Sequence, residues 1–146
     1  MSYATCEDAL ATVIKKLTGY SATNVSQGDY RILGHGSTKL VVLQPGPFSR
    51  DTVSPQRERN VWSINVELLI AFKTEISQVA TDIRTQRQLI IDKIDEYPTL
   101  DTTTGVVFAM ITEGREPELV QMGARTFWRQ IMIAKVEERA TVTYAE

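Results

Sequence analysis

The sequence predicts an α+β fold: a single antiparallel sheet of about five strands, in the order 1-2-3-5-4, with two helices packed on one face. Three observations predict it. The stretch NVWSINVELLIAFK, Asn60 to Lys73, alternates so that Trp62, Ile64, Val66, Leu68, Ile70 and Phe72 share one face of an extended strand. Two other segments place apolar residues at helical spacing, and turn residues divide the rest into short apolar runs. The resulting order is helix, three strands, helix, two strands. A right-handed crossover through the second helix, with the last strand pairing between its two predecessors, gives the sheet order.

The first helix is expected over about Thr5 to Thr18. Thr5 is a candidate N-cap, Glu7 and Asp8 suit the positive end of the helix dipole, and Cys6, Leu10, Val13, Ile14 and Leu17 form one stripe before Gly19. The segment YSATNVSQG reads as turns, DYRIL as a brief strand ending at the glycine turn GHGST, and KLVVLQ as a second strand closed by Pro45 to Pro47. A long exposed loop is then expected over about 45–58, feeding the alternating strand. That strand would span about 40 Å, against a width near 38 Å for a compact domain of this size. Thr74 is the candidate cap of the second helix, Glu75 to Tyr97, whose stripe runs through Ile76, Val79, Ile83, Ile90, Ile94 and Tyr97 until Pro98 ends it. TGVVFAMITEG and ARTFWRQIMIAKVEE are the closing strands.

With both helices on one face, the other face of the sheet should be polar in a self-sufficient monomer. It is not wholly so. Val106, Phe108 and Met110 oppose Val107, Ala109 and Ile111; Phe127, Ile131 and Ile133 oppose Trp128, Met132, Ala134 and Val136. Leu69 and Ala71 join this second apolar surface, whereas Ser63, Asn65 and Glu67 give the same strand a polar half facing solvent or a lumen enclosed by subunits. Contact with another subunit or burial beneath the long loop would each account for the apolar half.

The 146 residues suit one domain, 1–146. With 16 Lys and Arg against 18 Asp and Glu, the net charge of −2 offers no basic field for nucleic acid or anionic membrane. No apolar run reaches the ~18–20 residues of a membrane span, and the start MSYATCEDAL lacks the pattern of a secretory signal, so a soluble protein made in the cytoplasm is expected. Cys6 has no cysteine partner and reads as a small buried hydrophobe.

Catalytic chemistry finds little support. The sole histidine, His35, lies between two glycines without the companions of a metal site or a nucleophile's base. GHGSTK lacks phosphate-loop spacing, and no dinucleotide fingerprint occurs. The acids Asp92, Asp95 and Glu96 fall off the apolar stripe of the second helix, as a solvated face would. No catalytic, cofactor-binding or metal residue is therefore assigned, and no cofactor is expected. Arginine says more: ten arginines stand against six lysines, and its planar fork suits protein interfaces. Phe48, Arg50, Arg57 and Arg59 in or beside the loop, Leu69 on the strand, and Arg84 and Arg87 on the second helix are the candidate contacts to a partner protein or neighbouring subunit.

The long polar loop running into RERNVWSINVELLIAFK, the helix SQVATDIRTQRQLIIDKI and two closing strands resemble, over nearly the whole chain, the tail terminator (tail completion) family of long-tailed bacteriophages. The resemblance implies a structural α+β subunit without enzymatic activity, forming a homo-oligomeric ring, commonly of six, at the neck end of the virion tail. Its implied partners are further copies of itself, the tail tube protein and the head-tail connector protein, with neither sequence-specific nucleic acid nor membrane. Another neck component, a head-tail joining or stopper protein, is the alternative implied by the same likeness; a small cofactor-free enzyme is the alternative from another class.

Overall fold

In the computed structural model, residues 3–28, 38–54, 57–71, 76–122 and 125–141 are described. The expected strand over 29–33, His35, Phe72, the cap Thr74 and Glu75, the first residue of the expected second helix, lie outside them. The elements are α1 (Tyr3–Ile14), β1 (Val25–Gln27), β2 (Lys39–Ser54), β3 (Arg57–Ala71), α2 (Ile76–Glu96), β4 (Val106–Gly114), β5 (Glu118–Met122) and β6 (Arg125–Thr141). The class is α+β with a mostly antiparallel sheet, but the strand count and order differ from expectation. Among the described residues six strands form one sheet, in the order β1-β2-β3-β6-β4 with β5 also paired to β6. β1 lies in the segment read as turns and is parallel to β2.

β6 is the axis of the sheet. One side pairs with β3 from Phe127 to Thr141; the other pairs with β5 near its start and with β4 from Met132 to Glu138. Being antiparallel to both β3 and β4, β6 separates two strands that run parallel to each other, with α2 as the crossover between them. Three positive-φ residues, Leu100, Asp101 and Thr102, turn the chain left-handed after α2. Thr99 Oγ1 accepts from Thr102 N at 3.3 Å, Thr103 Oγ1 donates to Leu100 O at 2.6 Å, and Leu100 is buried. These contacts hold a backbone conformation that non-glycine residues adopt at a cost.

α1 starts two residues before the expected cap, so Thr5 lies within its first turn, and it ends at Ile14 rather than Thr18. The chain leaves through turns to Gly19, at φ 90°. The main core is the alternating face of β3 (Ile64, Val66, Leu68 and Ile70) packed with Leu10 and Ile14 of α1 and with Val79, Ile83, Ile90 and Ile94 of α2. Between Ile83 and Ile90 the helical stripe is polar. There Gln86 accepts the Tyr20 hydroxyl at 2.7 Å, and Arg87 Nη1 donates to Gln130 Oε1 at 3.2 Å.

The expected loop over 45–58 is largely strand. β2 continues past Pro45, shifts register between Pro45 and Phe48, and resumes pairing with Phe48 opposite Trp62 and Arg50 opposite Asn60. β1 pairs only with Val41 to Leu43, so Pro45 and Pro47 stand on an edge and at a bulge, the places in a sheet where proline is tolerated. Gly46 fits there because a Cβ would lie 3.0 Å from Ser63 O and 3.2 Å from Asn65 Oδ1. Another register shift, between Val106 and Phe108, puts Val106 and Ala109 in the core while Val107 and Phe108 stay exposed.

Candidate interaction surface

Three surfaces hold the residues singled out from the sequence. At the first, the β2–β3 hairpin, Phe48 is 63% exposed and its ring sits 5.3 Å from that of Trp62, which in turn meets Tyr3 edge-on. Arg50 Nη2 donates to Glu58 Oε1 at 2.5 Å, and Arg57 is exposed at the start of β3. Arg59 donates to Glu137 and lies 3.6 Å from Asp51; the hydrogen bond and charge of Glu137 hold its guanidinium above the ordinary value. The arginines of this hairpin thus stiffen it through cross-strand pairs as well as solvating it.

Below the hairpin, Glu138 is fully buried, receiving Asn60 Nδ2 at 3.0 Å and the Cys6 thiol at 3.6 Å. Cys6 is therefore more than a small hydrophobe. Burial, then the nearby charge of Glu138, pushes its thiol up to about 12 from 9.0, and burial likewise raises the phenols of Tyr3 and Tyr20. These groups stay protonated in the folded chain while the unfolded chain ionises. The stability they contribute is complete below pH 9 and lost as the pH rises toward 12. The urea midpoint should be level from pH 7 to about 8.5 and fall above 9. Cys6→Ala should flatten the first part of that fall; an identical profile in the variant would remove Cys6 from the account.

The second surface is the sheet face away from the helices. Leu69 is fully buried there with Leu40, Val42 and Phe127, and Ala71, Val120 and Met122 pack against them. As an exposed contact to a neighbour Leu69 is therefore a correction: the β5 residues help to cover it within its own chain. The polar half of β3 is covered too. Lys135 Nζ donates to Ser63 Oγ at 2.5 Å, and Arg129 lies 3.5 Å from Glu67 while also pairing with Glu118. Long cationic side chains extend across the strands, with their stems over the sheet. What remains open is β4: Phe108 is 47% and Met110 37% exposed, and among the described residues its outer edge has no partner strand.

The third surface joins Arg84 and Arg87. A cleft of about 540 Å³ between α2 and the β4–β5 turn is lined by Arg87, Ile91, Ile111, Arg115 and Met132, among others. A slot of about 220 Å³, sharing Arg87 and Pro117 with it, is walled by Val79, Ile83 and Trp128, with Arg84 at its rim. Gln130 ties the floor together, accepting from Arg87 and donating to the carbonyl of Arg115. Sequence reading missed Gln130, Glu138 and Asn60 as inward-facing polar residues. The signal was present, because Trp128, Gln130, Met132, Ala134, Val136 and Glu138 share one parity of β6.

The structure keeps the predicted residues apart: Phe48, Arg50, Arg57 and Arg59 on the hairpin, Arg84 and Arg87 on the helix side, and Leu69 inside. Among the described residues no group of three or more His, Cys, Asp or Glu side chains could hold a metal ion, and no helix is long and apolar enough to cross a membrane. No family model matches the sequence, and comparison with curated proteins finds no match. A solved structure bearing no functional name aligns over 98% of this chain and 94% of its own length, at 16% identity and a TM-score of 0.42. That likeness carries no argument about function.

Proposed function

We propose that this chain is a structural assembly subunit, the tail terminator of a long-tailed bacteriophage, closing the tail tube as a homo-oligomeric ring and offering a surface to the head connector. The observation that carries the assembly role is β4: an outer strand of nine residues presenting Phe108 and Met110 to solvent, with no strand beside it among the described residues. An exposed apolar edge strand invites pairing with another chain, and monomers usually blunt such edges. On the opposite side of the sheet, β2 from Phe48 onward, past the bulge at Pro45 and Pro47, is likewise unpaired on its outer side among the described residues. Two different open edges on one subunit favour head-to-tail contacts, which give a ring when the rotation between copies closes. The assignment to tail termination rests on the family resemblance, and the near-neutral charge suits copies that must lie side by side.

Negative-stain imaging of particles assembled without this chain tests the role. Over-long or unfinished tails are the expected result, and native mass measurement with tail tubes present should reveal a ring. Tails of normal length bearing filled heads that leak DNA would replace the terminator with a stopper protein. Strict monomers with and without tubes would remove the ring.

A further inference from the structure

We propose that the slot between α2 and the β4–β5 turn binds a peptide segment of a partner protein in which an apolar side chain stands beside a carboxylate. The walls of the slot, Val79, Ile83, Pro117 and the Trp128 ring, are apolar, and its 220 Å³ suits one large side chain. Cofactor and drug-sized ligands ordinarily occupy about 300–1,000 Å³, so the slot itself is too small for them. The wider cleft continues past Arg87 and Pro117, giving the flanking backbone somewhere to lie. A knob in the slot with an extended chain in the cleft is the mode this shape accommodates.

Charge selects the sign of the partner. Among the described residues, the ionisable ones lining the slot are Arg84 and Arg87, both cationic; Glu113 and Glu116 line only the outer cleft, where Arg115 accompanies them. Arg84 is exposed and has no ion pair among the described residues, whereas Arg87 is half-buried and already donates to Gln130. A carboxylate at the rim would receive the fork of Arg84 and lie within the field of Arg87. Trp128 also keeps its indole Nε1 buried without an acceptor. Such groups are rare because an unmade buried hydrogen bond is costly, and an acceptor entering with the peptide, together with a small widening of the slot, would supply the missing partner.

The slot lies on the helix side, away from the β4 face and the hairpin, so it adds a partner surface to the assembly reading without relying on ring closure. The probe is a capped hexapeptide with one phenylalanine flanked by aspartates, compared with versions carrying asparagines or lysines instead. Nitrogen-edited NMR follows the indole signals of Trp62 and Trp128, with Trp128→Phe providing the assignment. The aspartate peptide should shift the Trp128 signal and saturate it. The asparagine version should bind about tenfold more weakly, the worth of one partly exposed charge-assisted hydrogen bond. Arg84→Gln should remove most of that preference, Arg87 retaining the rest, while leaving the asparagine peptide's affinity unchanged.

Equal binding of all three peptides, or an unaltered preference in Arg84→Gln, would overturn the proposal. The same saturation with acetate alone would also overturn it, reducing the slot to a simple anion site. Mass measurement on the same samples separates the two readings. A ring that persists while the peptides fail sinks only the slot, and peptide binding by a strict monomer sinks only the ring.

Discussion

Replacing Phe108 and Met110 together by aspartate should abolish self-association while leaving the subunit folded. Both side chains stand on the exposed face of β4 with less than half of each open to solvent, so unfolding should change by about 2 kcal/mol, less than a core substitution costs. At an interface, central apolar residues of this size are each worth about 2 kcal/mol or more, and two buried carboxylates would repel across every contact. The concentration for half-assembly should rise at least about 100-fold. Sedimentation velocity over a wide concentration range reads this directly. A mass distribution identical to that of the parent would place the subunit contact elsewhere.

Leu69→Asn should have the opposite profile, damaging the fold itself. Leu69 is fully buried with Leu40, Val42 and Phe127, so the change removes apolar packing and strands an amide among hydrocarbon. The expected cost is about 3–5 kcal/mol in unfolding free energy. Val107→Asn, the control at an exposed strand position, should stay within about 0.5 kcal/mol. Equal denaturation midpoints for the two variants would show that the second apolar cluster is not packed as described.

Leu69 also marks the limit of reading this fold from sequence. Periodicity revealed which way its side chain points, and Leu68 and Ile70 were correctly assigned to the helix-covered face. It could not reveal what lies opposite. β5 begins after Gly114 and Pro117, two residues that read as a turn, yet its Val120 and Met122 complete the pocket around Leu69. The extension of β2 was hidden for a related reason: Pro45 and Pro47 are strand breakers in a sheet interior but harmless on an edge, and edges are tertiary facts. At Val106 to Ala109 the period itself fails, because a bulge places two residues opposite one. By contrast α2 was legible almost to its ends, as its apolar stripe is long and Pro98 stops it.

The candidate contacts divide in the same manner. Exposure of Phe48 and of the hairpin arginines is local, and followed from residue type. Arg84 and Arg87 were legible as surface arginines on α2, but the slot beside them was not, since it takes Trp128 from β6 and Pro117 from the turn to build it. Gln86 and Arg87 interrupt the stripe between Ile83 and Ile90. That gap was the one local sign that something other than simple core packing happens along α2.

β6 has a consequence for how the molecule comes into being. It is the last of the described strands in the chain, yet it lies at the centre of the sheet, joined to β3, β4 and β5. During synthesis, everything up to β5 emerges from the ribosome with the inner edge of β3 bare and with β4 and β5 lacking their shared partner. The nascent chain must hold this incomplete sheet until residues 125–141 arrive, and then close it through contacts between segments far apart in sequence. Such closure is slow compared with local helix formation and leaves apolar edges open to neighbouring nascent chains. The strand order therefore predicts chaperone dependence during production that is relieved once residues 125–141 have emerged.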